Sequence, residues 1–117
     1  MKLSEVKEIV DGKVLTGEEF LDQEVESAFG SDLMSDVLAF VDKKVLLLTG
    51  LVNPQVVRTA EMMDITAIVF VRGKCPDENV IELAKAKDMV IITTEHSMYV
   101  ASGKLYSNGL TGTAKED

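Results

Sequence analysis

Hydrophobic positions recur along the chain at a fixed interval. The apolar run Val45-Leu46-Leu47-Leu48 leads through Thr49-Gly50 to Pro54 and a helix-like stretch. A second run, Ala67 to Val71, leads through Arg72-Gly73 to Pro76 and another such stretch. A third, Met89-Val90-Ile91-Ile92, leads through Thr93-Thr94 to a third. The runs start at 45, 67 and 89, and one more step back lands near Gln23, beside Glu24 to Phe29 and Gly30-Ser31-Asp32. A short run of β-formers, a loop and a helical stretch make one βα unit. Four in tandem predict an α/β three-layer sandwich with a mostly parallel sheet and right-handed crossovers. The loops after such strands gather at one edge, where ligands bind.

The flanking pattern predicts the remaining elements. Ser4 caps a helix carrying Leu3, Val6, Ile9 and Val10, which stops at Gly12. A strand over Lys13–Thr16 ends at Gly17, and Glu18 to Gln23 is a connecting loop whose Phe20 and Leu21 cover one end of the sheet. Ser31 or Asp32 caps a helix carrying Leu33, Val37, Leu38 and Val41, and Asp42-Lys43-Lys44 is a polar turn. Asn53 caps the next helix, with Pro54 at its first position and Val56, Val57, Ala60 and Met63 as its buried stripe. Asp77 precedes a helix with Val80, Ile81, Leu83 and Ala84 inward. Thr94 caps the last helix, which carries Tyr99, Val100, Gly103, Leu105 and Tyr106 and stops near Asn108-Gly109. The tail from Thr111 to Asp117 is small and polar and is expected to fray. The runs at 45, 67 and 89 are apolar on both faces, as helices on both sides of a sheet require. Glu24-Val25-Glu26 alternates, which predicts an edge strand.

At 117 residues, 46% of them hydrophobic, the chain is read as one domain spanning 1–117. No apolar run approaches the roughly 20 residues of a membrane span, and Met1 to Glu5 lacks a signal-peptide pattern. The single cysteine, Cys75, has no partner for an internal disulfide. A cytoplasmic location is expected. The net charge of −8 disfavours nucleic acid, whose phosphates need Lys and Arg, and leaves a basic protein partner open.

The chain contains no P-loop, no Gly-x-Gly-x-x-Gly after a strand and no Gly-x-Ser-x-Gly elbow. One histidine and one cysteine supply too few soft ligands for a metal, so neither metal nor cofactor is expected. His96, near a helix start, is a candidate neutral hydrogen-bonding group for a ligand. The residues that fall at the predicted edge are Gly30, Ser31 and Asp32, then Thr49, Gly50 and Asn53, then Arg72 and Gly73, then Thr94, His96 and Ser97. Glycine lets backbone approach a ligand, helix starts offer free N–H groups to an anion, and Arg72 adds a bidentate cation. Singly, each is also an ordinary cap or turn former. Together they are the candidate site for a small anionic metabolite or nucleotide. Met62 and Met63, adjacent on one helix, cannot both face one core. That points to a homo-oligomer, a dimer first.

Gly30-Ser31-Asp32-Leu33-Met34-Ser35-Asp36-Val37-Leu38, Leu46-Leu47-Leu48-Thr49-Gly50-Leu51, Ile91-Ile92-Thr93-Thr94 and Ser97 together resemble the DRTGG domain family. That family is similar to the N-terminal domain of HPr kinase/phosphatase. The resemblance runs from about Val14 to Leu110. It implies an α/β sandwich and a regulatory, ligand-sensing role, as an accessory module beside catalytic or CBS domains. Asp32, Thr49 and Gly50 match the signature, whereas Leu33 and Leu51 stand where it has Arg and Gly. Arg72 is the candidate replacement for that Arg. The kinase activity belongs to a separate P-loop domain and is not implied.

Two functions stay open. One is a non-catalytic module that senses a small anion or nucleotide at the strand-end edge. The other is an interaction or scaffold subunit of a larger metabolic complex with no small ligand. Its acidic Glu18, Glu19, Asp22, Glu24 and Glu26 would meet a basic partner.

Overall fold

The three apolar runs lie side by side in the computed structural model, which describes residues 1–41 and 44–113. Six strands form one sheet: β1 (Lys13–Thr16), β2 (Ser27–Gly30), β3 (Val45–Thr49), β4 (Ala67–Phe70), β5 (Val90–Thr93) and β6 (Thr111–Gly112). Their order is β1-β5-β4-β3-β2-β6, and every neighbouring pair is parallel except β1 with β5. The helices are α1 (Leu3–Ile9), α2 (Met34–Phe40), α3 (Pro54–Met62), α4 (Glu78–Ala86) and α5 (Met98–Ser107).

In the central strands Leu47, Ile68 and Ile91 share one register line, and Leu48, Val69 and Ile92 the next. Successive side chains point to opposite faces. The first set therefore packs with Val37, Val56, Val57, Val80 and Ala84 from α2, α3 and α4. The second packs with Leu3, Val6, Ala101 and Leu105 from α1 and α5. This is the expected three-layer sandwich. Each fully buried Leu or Ile contributes about 1.5–3 kcal/mol from removal of apolar surface.

Several local expectations are corrected. Lys2, not Ser4, is the N-cap of α1, and its N–H donates to Glu5 Oε1 at 3.0 Å. Neither Ser31 nor Asp32 caps α2; Leu33 holds the cap position without a side-chain bond. Leu33 and Leu38 are exposed, and Val37 alone of that helix is buried. Ser97, not Thr94, caps α5 through a bond from Val100 N. The strand expected at an edge, β2, has β3 on one side and β6 on the other. The alternating Glu24-Val25-Glu26 precedes the strand; Val25 N–H donates to Met1 O, and its side chain is buried in the apolar cluster with Leu3 and Val6. Thr111 and Gly112 are not frayed but pair with Ser27 and Ala28, while Thr113 Oγ1 donates to Phe40 O. The rest of the expected tail, 114–117, and Asp42 and Lys43 of the expected Asp42-Lys43-Lys44 turn lie outside the described residues.

The loops after β2, β3 and β4 lead to helices on one face. The chain after β5 crosses to the other face, and α5 runs back over β3 and β2 to β6. The direction of exit therefore reverses between β4 and β5, at the carboxyl edge of the sheet.

Candidate functional site

Three of the repeated loops meet at that edge through one carboxylate. Asp32, two residues beyond β2, accepts hydrogen bonds at Oδ1 from Gly50 N (2.7 Å) and Thr49 Oγ1 (3.1 Å). Its Oδ2 lies 3.4 Å from Arg72 Nη2. The loops after β2, β3 and β4 are thereby tied together. Thr49 Oγ1 also accepts from Leu51 N at 3.1 Å, and Ser31 Oγ accepts from Leu33 N at 2.9 Å. The N–H of Gly50, helped by Thr49 and Arg72 and opposed by partial burial, holds the Asp32 carboxyl below the usual carboxylate range.

Arg72 stands directly over Gly50: a Cβ there would collide with the guanidinium. Position 50 is glycine-like for close approach, not for an unusual backbone angle. Arg72 itself holds a left-handed backbone, φ 60°, which non-glycine residues adopt at a cost of about 1–3 kcal/mol. Two backbone bonds hold it there, Arg72 N to His96 O at 2.7 Å and Gly73 N to Thr94 O at 2.8 Å. The Arg72 and Asp32 side chains are 50% and 48% exposed. The amides of Gly50, Leu51, Arg72 and Gly73 are thus engaged within the protein, and the group offered outward is the guanidinium.

The eleven residues singled out from the sequence do not form one cluster. Asp32, Thr49, Gly50 and Arg72 come together, with Ser31 and Gly73 adjoining. Asn53 sits at the exposed start of α3 without a side-chain cap bond. Thr94 is buried, donates to Val10 O at 2.6 Å and accepts from His96 N. His96 Nε2 is 3.0 Å from Asp11 Oδ2 in the turn after α1, a partner that sequence reading missed because the two lie 85 positions apart. That bond, with lesser help from Lys104, keeps the Asp11 carboxyl below its ordinary range. Gly30 belongs elsewhere, opening on a cavity beneath α5, with Met98 close to where its Cβ would be.

Cys75 is exposed and lines a shallow cleft with Asp11, Lys13, Thr93 and Glu95. Among the described residues no group of three or more His, Cys, Asp or Glu is placed to hold a metal ion. No helix among them is long and apolar enough to cross a membrane.

The chain is thus a mostly parallel α/β sandwich whose strand-end loops converge on an Asp-Thr-Gly clasp. The DRTGG domain family model matches residues 5–107, and the chain belongs to that family. Among solved structures the chain is similar to the CBS and DRTGG domains of the regulatory region of Clostridium perfringens pyrophosphatase, complexed with the activator diadenosine tetraphosphate. The TM-score is 0.71 at 17% identity. The match covers 89% of this chain and 45% of that one, so this chain spans under half of that relative's length. No curated protein matches the sequence.

Proposed function

We propose that the chain is a non-catalytic regulatory module that senses a small anionic metabolite or nucleotide at the carboxyl edge of its sheet. The observation that supports this reading is the placement of Arg72. A cation is held over a glycine, oriented by a carboxylate it touches only at 3.4 Å, and left half-exposed where three loops converge. A guanidinium so placed is suited to a phosphate or carboxylate. Asp32 orients Arg72, in the place of the Arg that the signature puts next in sequence. The fold relative is a regulatory region complexed with a nucleotide activator, which favours a nucleotide among the anions. The test is a thermal-shift titration with pyrophosphate, tripolyphosphate and nucleoside triphosphates. At a hundredfold excess over Kd a ligand adds about 2.7 kcal/mol of stability, and Arg72→Ala removes that gain. Phosphate compounds that leave the melting temperature unmoved overturn the reading.

A second reading, an interaction subunit, is favoured by the outer side of α5. Tyr99 and Tyr106 are 88% and 67% exposed there, and the helix contains no acidic residue. Met62 on α3 is exposed as well. Native mass spectrometry separates the two. A second protein retained in the complex and lost with Tyr99→Ser and Tyr106→Ser supports the interaction reading; retention of no protein partner counts against it.

A further inference from the structure

We infer that the cavity beneath α5 receives the flat, uncharged ring system of a nucleotide whose phosphates extend to Arg72. The inference rests on the anion reading above and adds a second subsite to it. The cavity has a volume of about 240 Å³. An apolar cavity of about 150 Å³ holds benzene, so this one accommodates two fused rings. Its walls come from β2, β3, α5 and β6, chiefly Gly30, Leu48, Met98, Ser102, Tyr106 and Thr111. None of its lining residues, all of them described, is charged, in a chain where 27% of residues are. A neutral occupant is therefore selected over an ionic one.

Three features favour a heterocycle over a hydrocarbon chain. Tyr106 stands at the rim, 67% exposed, where its ring can stack on another. Met98 brings a thioether, which makes favourable contacts with aromatic rings. Ser102 and Thr111 add hydroxyls suited to the hydrogen-bonding edge of a base. The missing side chain at Gly30 lets Met98 and Ser102 of α5 approach the strand closely at the cavity wall: a Cβ would sit 3.2 Å from Met98 Sδ.

Position supplies the link to the anion site. Gly30 and Leu48 line the cavity, and Asp32 and Gly50, two residues further along each chain segment, form the clasp under Arg72. Two residues separate their Cα atoms by at most about 7 Å, so the cavity wall and the clasp are consecutive along both segments, within the scale of a nucleotide. A nucleotide can thus place its base under α5 and its phosphates at Arg72.

Isothermal titration with ATP, GTP, tripolyphosphate, adenosine and guanosine tests this on the full chain and on Ser102→Phe, Tyr106→Ala and Arg72→Ala. At least one nucleoside triphosphate is expected to bind about tenfold or more tighter than tripolyphosphate, the gain one stacked base gives. Ser102→Phe, which fills the slot, and Tyr106→Ala, an exposed substitution that leaves the fold intact, abolish that advantage and leave tripolyphosphate unchanged. Arg72→Ala weakens tripolyphosphate and triphosphates alike. Triphosphates that bind no tighter than tripolyphosphate, or that ignore both α5 variants, overturn the ring subsite while leaving the anion reading intact. Tripolyphosphate that fails to bind, or ignores Arg72→Ala, overturns the anion reading. Nucleoside binding that is lost only in the α5 variants then still supports the cavity.

Discussion

Arg72 and Gly50, from neighbouring strand ends, are packed so closely that no side chain fits at position 50 while the guanidinium keeps its place. The obstacle is the far end of a flexible side chain, and Gly50 has no positive φ. Gly50→Ala is therefore expected to cost less than about 1 kcal/mol of stability yet to swing Arg72 off Asp32. Anion affinity should fall by about tenfold with the melting temperature nearly unchanged. A variant that melts early and binds normally would reverse this assignment.

Asp32 carries the pH dependence of the clasp. Its carboxyl is held low in the folded state, first by Gly50 N–H. The stabilisation is therefore complete above the unfolded value of about 3.9 and is lost as pH falls through the folded one. Asp32→Asn keeps an acceptor oxygen and removes the charge. Because the group is half-exposed, the expected loss at neutral pH is only about 1 kcal/mol. The gap between wild type and variant should close on acidification below pH ~4. Denaturant melts at a series of pH values report it; a gap that widens in acid contradicts the geometry.

The Asp11–His96 contact joins the turn after α1 to the crossover after β5. A double-mutant cycle with Asp11→Asn and His96→Ala should show favourable coupling. Asp11 is held low mainly by His96, so its share of the coupling is present above the unfolded carboxylate value and is lost as pH falls through the folded one. It should shrink in 1 M salt, where the Debye length is about 3 Å. Additive melting-temperature changes would mean that the contact does not form in solution.

The orientation of α2 separates two adjacent positions. Val37 is fully buried against the sheet and Leu38 is 46% exposed. Val37→Ala is expected to cost about 1–3 kcal/mol, and Leu38→Ala within about 0.5 kcal/mol. Comparable losses at both would mean that α2 is rotated or covered by another chain.

The regular spacing made the parallel core legible, because continuous apolar runs between helical patterns have few other solutions. The edges were not. β6 is two residues, Thr111 and Gly112, with no apolar signal, and its pairing depends on α5 returning the chain beside β2. Local patterning offers Asp32 as a cap to its own helix, whereas its oxygens go to Thr49, Gly50 and Arg72, far along the chain. Asp32, Thr49, Gly50 and Arg72 are each legible as strand-end residues of one edge, and their side chains do meet there. The left-handed backbone of Arg72 and its position over Gly50 were not, since both follow from bonds to the β5–α5 crossover. Ser102 and Tyr106 were hidden inside a helix pattern, and only the packing of α5 on β2 gives them a cavity to line.

The two backbone bonds from Arg72 and Gly73 to His96 and Thr94 couple opposite layers of the sandwich. His96 is one residue from the cap of α5. Fixing the backbone of Arg72 and fixing the start of α5 are therefore one structural task, shared by the crossover after β5.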